Sequence, residues 1–112
     1  MSDSRTNLYD WLLDGLDYIE EKLDEAKSAQ TSEERVAALS EGSCMVPCMQ
    51  KRLRTENEEI YTNYILLPGF NDEWNGYWRE VAKKDGKELQ DDIAALRERI
   101  ELLRGTVSRI KG

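Results

Sequence analysis

The chain has 112 residues, no histidine, two cysteines and a net charge of −7 at neutral pH. That length supports one domain with a modest core and excludes an enzyme cleft backed by a second module. With 39% hydrophobic and 35% charged residues and two prolines, the composition excludes a disordered chain and disfavours an all-β one.

The charge is unevenly placed. Residues 1–44 hold 11 acids and 4 bases, a balance of −7, while residues 45–112 hold 12 of each. An acidic surface of this kind repels nucleic acid and anionic membrane and attracts a basic protein patch. Asp10, Asp14 and Asp17 interrupt the first apolar run, so it does not read as a secretory signal. The longest charge-free stretch, Ile60 to Asn71, has 12 residues, against the roughly 20 a bilayer span requires. These features point to a cytoplasmic protein without a membrane segment.

The first predicted helix covers about residues 4–29. Leu8, Leu12, Leu16, Ile19, Leu23 and Ala26 step by fours and threes, which keeps them on one face. Asp10, Asp14, Asp17, Glu21 and Asp24 form a second row on the opposite side. Thr31 and Glu34 match a capping box, which starts a short second helix ending near Gly42.

Pro47 suits the first turn of a third helix, where its missing amide proton would be unpaired anyway. That helix carries Met49, Leu53, Ile60, Tyr64 and Leu67, with Glu56 and Asn57 breaking the apolar row. Residues 60–67 are rich in Ile, Tyr and Thr, which leaves a strand as the alternative there. Pro68-Gly69 marks a turn, and a fourth helix over about residues 71–84 groups Trp74, Tyr77, Trp78 and Val81. Asp85 and Glu88 form a second capping box that opens the last helix.

That last helix repeats every seven residues. Ile93, Ile100 and Val107 make one row, and Leu89, Leu96, Leu103 and Ile110 the other. Branched residues at a with leucine at d favour a two-stranded coiled coil, so the seam predicts a homodimer. A bundle core within one chain has almost the same pattern, and is the alternative closure. The fold expected is therefore all-α, a small helical domain over residues 1–112. Its N-terminal helices, within residues 1–44, are acidic, and its heptad helix over 85–111 forms a coiled coil or a helical-bundle dimer.

Few residue patterns point to chemistry. Cys44 and Cys48 form a C-x3-C pair, whereas redox motifs separate their cysteines by two residues and zinc takes four Cys or His ligands. Two reduced thiols are the expected state; a redox-sensitive pair, or four thiolates gathered by a dimer around zinc, are the alternatives. Without histidine, proton transfer near neutral pH would fall to carboxylates, Lys, Tyr or Cys. The carboxylates lie on a periodic, solvated face, and Ser43 has no recognisable base. Neither an enzyme nor a cofactor is expected. The basic run Lys51, Arg52 and Arg54 is cancelled by Glu56, Glu58 and Glu59, which makes a salt-bridged helix surface, not a nucleic-acid site.

Two surfaces are candidates for binding a protein partner. Trp74, Tyr77 and Trp78 offer the side chains that dominate interface hot spots, with core packing as the alternative. The carboxylate row Asp10, Asp14, Asp17, Glu21 and Asp24 offers a regular line of negative charge. Such a line fits a basic protein, or imitates the phosphates of duplex DNA. The same acids have a possible internal use along Arg97, Arg104 and Lys111, a basic row beside the seam. The expected function is a small acidic dimer that binds and modulates a protein, as an inhibitor or adaptor encoded by a phage or mobile element. A DNA-mimic inhibitor and an assembly or secretion chaperone are the alternatives.

Overall fold

The computed structural model describes residues 4–111, and these form helices and connecting turns with no strand among them. In chain order the helices are α1 (Ser4–Ser28), α2 (Ser32–Ser43), α3 (Met45–Glu56), α4 (Glu58–Ile65), α5 (Trp74–Ala82) and α6 (Gly86–Lys111). One buried cluster takes side chains from all six. Each fully buried Leu or Ile in it contributes about 1.5–3 kcal/mol.

The apolar row of α1, Leu8 through Ala26, is buried along its whole length. Thr31 caps α2 as its sequence implies, with its hydroxyl accepting from the Glu34 amide at 3.1 Å. The α2 backbone then passes through Cys44 (φ −63°, ψ −23°) directly into α3. Gly42 lets α2 lie close to α1, since a Cβ there would stand 3.0 Å from the Lys22 Cβ.

The single third helix expected from the sequence is two. Asn57 breaks it with extended backbone (φ −153°, ψ 93°), and its side chain accepts from the Ile60 amide at 3.1 Å. The break at Glu56 and Asn57 is thus an N-cap, not a polar interruption of one helix. Residues 58–65 are helical despite their β-branched and aromatic content. Ile60 and Tyr64, one turn apart, both point into the core, and the Tyr64 hydroxyl donates to the Val46 carbonyl at 3.0 Å. Tertiary burial on a helical period outweighs local strand preference.

The turn at 66–73 is fastened by Gly69, whose φ of +91° only glycine adopts readily. α6 starts at Gly86, after Asp85, whose carbonyl accepts from the Leu89 amide at 3.3 Å. Of the seven seam residues, Leu89, Ile93, Leu96, Ile100, Leu103 and Val107 are 0–6% exposed within one chain, and Ile110 is partly buried against the same core. The heptad row therefore closes inside the chain, chiefly against α1 with α4 and α5 completing the cover. What reads as a coiled-coil seam is here a bundle core, because one strand alone does not reveal what it packs on.

Candidate functional site

The five carboxylates of α1, Asp10, Asp14, Asp17, Glu21 and Asp24, are all exposed, on the side away from the buried leucines. From Asp10 to Asp24 they run about 21 Å along the helix. The row is not uniform. Its edge toward α6 is engaged: the Arg104 guanidinium donates to Asp17 and, at 2.9 Å, to Glu20, and Arg97 donates to Asp24. Moving seven residues forward on α1, from Asp17 to Asp24, moves seven back on α6, from Arg104 to Arg97, as antiparallel helices require. Part of the charge thus has the internal use that the basic row suggested. The side chain of Lys111, the third member of that row, lies outside the described residues.

Glu20 is the member of this cluster that the spacing of the exposed row misses. It stands between Asp17 and Asp24 but turned toward α6, half-buried, with Glu101 and Arg104 against it. Desolvation by burial, then the hydrogen bond with Glu101, raises its carboxyl above the ordinary value despite Arg104. The available signal was its place three residues after Asp17 and four before Asp24, which puts it on the same inter-helix edge. On the other flank of α1, Lys22 bridges to Glu41 of α2 at 3.0 Å and to Glu25 at 3.2 Å. Those bonds, Glu41 first, raise the lysine above its ordinary value. Between the two fastened edges, Asp14 and Glu21 face solvent.

The aromatic group separates into different roles. Trp78 is 2% exposed, its indole Nε1 donating to the Gly69 carbonyl at 2.9 Å and its ring meeting Phe70 edge-on at 6.3 Å. It is core, as the packing alternative expects, and does not present a surface anchor. Tyr77 is half-buried under Arg99, whose guanidinium lies 5.4 Å from the ring centre and donates to the hydroxyl at 2.8 Å. Arg99 also donates to the Pro68 carbonyl at 3.0 Å, so this aromatic group holds the 66–73 turn against α6. Trp74 is half-buried against the core. Phe70, which no periodic pattern marks, is wholly buried between Tyr64 and Trp78.

Cys44 and Cys48 are exposed free thiols. Among the described residues no group of three His, Cys, Asp or Glu side chains is arranged to hold a metal ion. The basic run is dispersed into pairs: Arg52 meets Glu56 at 2.9 Å and lies over the Trp11 ring at 4.7 Å, and Arg54 lies over Tyr61 at 5.7 Å. Among the described residues no helix is long and apolar enough to cross a membrane. No protein-family model, curated protein or solved structure matches the chain.

Proposed function

We propose that this protein is a non-catalytic binding module that docks a basic surface of another protein through the acidic outer face of α1, and modulates that partner by covering the surface. The supporting observation is the position of Asp10, Asp14, Asp17, Glu21 and Asp24, all exposed on one face of a helix whose opposite face is locked in the core. A rigid helix holds the charges at fixed spacing, so little conformational freedom is lost on docking. Arg97 and Arg104 neutralise one edge and leave Asp14 and Glu21 at the centre of the negative field. In this reading the protein acts in the cytoplasm, where Cys44 and Cys48 stay reduced. It works as a homodimer through a face other than the buried row of α6.

A second reading is favoured by the periodicity of the row, which suits a partner whose basic groove normally holds duplex DNA. One experiment addresses both. Proteins retained by the wild type are compared with those retained by D14N/E21Q at low and high salt. The expected result is a partner held by the wild type, released by salt and lost with the neutralised variant. Equal retention by both forms would contradict docking through α1. If the retained partner binds duplex DNA and the wild type displaces it, the partner is occupied by mimicry; if the duplex and the wild type bind together, the mimic reading fails.

A further inference from the structure

The outer side of α6 carries a second row at heptad spacing. Asp91, Ala95, Glu98, Leu102, Gly105 and Arg109 step by four, three, four, three and four, on the side away from the buried Leu89 to Val107 row. Two members do not fit an ordinary solvated face. Leu102 is 61% exposed beside Leu66 at 71%, and together with Asn63, Leu67 and Thr106 they line a shallow groove between α4 and α6. Gly105 stands inside the helix, where glycine is unfavourable, yet a Cβ there would meet nothing within 4 Å. No contact among the described residues calls for a glycine here, as none does at Gly76 of α5. Glu98 and Arg109 bracket this pair, and neither has an ion-pair partner among the described residues.

We propose that this face is a homodimer contact in which two α6 helices cross antiparallel on a two-fold axis, Leu102 of each copy seated over Gly105 of the partner subunit and Glu98 of each paired with Arg109 of the partner subunit. The inference rests on the homodimer reading above and names its surface. A two-fold axis makes every contact occur twice, so the face must be complementary to itself. Antiparallel helices meet that condition in one register. Glu98 with Arg109 and Leu102 with Gly105 are both centred on the same point between residues 103 and 104, so satisfying one pair satisfies the other. A parallel pairing would set Glu98 against Glu98 and Arg109 against Arg109, which repel. Leu66 flanks the axis and extends the apolar contact onto α4. From Glu98 to Arg109 the contact covers about 17 Å of helix, short for an interface, so the dimer should dissociate on dilution.

The test is sedimentation velocity on the full chain over a dilution series, for the wild type, L102D, E98R, R109E and E98R/R109E, with helical content checked by circular dichroism. The wild type should dimerise at high concentration. L102D and each single charge reversal should weaken association at least tenfold, while the double reversal returns it to within about threefold, and all four should keep the wild-type helical signal. A dimer indifferent to all four variants would overturn this face and leave the homodimer reading standing. A wild type monomeric at every concentration would overturn both, and a double reversal that fails to recover would overturn the antiparallel pairing.

Discussion

α6 carries two rows of the same seven-residue period, and they have opposite fates. The inner row, from Leu89 to Val107, is buried against the rest of the chain; the outer row, from Asp91 to Arg109, faces solvent. The inner row is apolar at every position, whereas the outer row has one large apolar side chain, Leu102, among charges and small residues. Seven-residue spacing alone therefore does not separate a buried face from an exposed one; the density of apolar residues along the row does. Continuous apolar burial suits a fold's core; a single exposed leucine among complementary charges suits the reversible contact proposed above.

Alanine substitutions at neighbouring turns should expose that contrast most strongly. Ile100→Ala removes a wholly buried side chain, and should lower unfolding free energy in urea by about 2–5 kcal/mol. Leu102→Ala, measured at protein concentrations where the chain is monomeric, should change it by no more than about 0.5 kcal/mol. Comparable losses at both sites would erase the distinction between the rows. A smaller effect of opposite sign is expected at Gly105, where added side-chain volume meets open space. Gly105→Ala should stabilise the monomer by up to about 1 kcal/mol through helix propensity, read as a higher urea midpoint at unchanged slope.

The smallest expected effect concerns pH at the joint between α1 and α6. Because burial raises the Glu20 carboxyl in the folded chain, the native state holds its proton over a window in which the unfolded chain has released it. Stability from this group is therefore full below the unfolded pKa and is lost as pH rises through the folded one. Glu20→Gln should flatten that part of the stability profile in urea titrations across the mildly acidic range. An unchanged profile would mean that Glu20 contributes nothing to it.

Much of this architecture was legible in the sequence. The two long helices followed from unbroken periodicity, and Thr31 announced the start of α2 through its capping chemistry. The identity of the strand facing the heptad row was not legible, because α1 within the chain and a second α6 ask for the same spacing. Asn57 concealed a helix boundary inside an apolar row that continues through it. The acid row was visible as exposed charge, but the division between Asp17 and Asp24, held by arginines, and Asp14 and Glu21, facing outward, depends on which edge of α1 lies against α6. Trp78 and Tyr77 both lie against the 66–73 turn, but Trp78 is buried beside Phe70 whereas Tyr77 is half-buried under Arg99.

The most direct test of an internal seam is the circular-dichroism melt of Leu96→Asp beside that of Leu102→Asp. Leu96 is wholly buried, and an unpaired carboxylate there should abolish the cooperative transition and most of the helical signal, whereas Leu102→Asp, at concentrations where the chain is monomeric, should melt like the wild type. A folded Leu96→Asp monomer with wild-type helicity would contradict the internal seam and return the heptad row to an interface between chains.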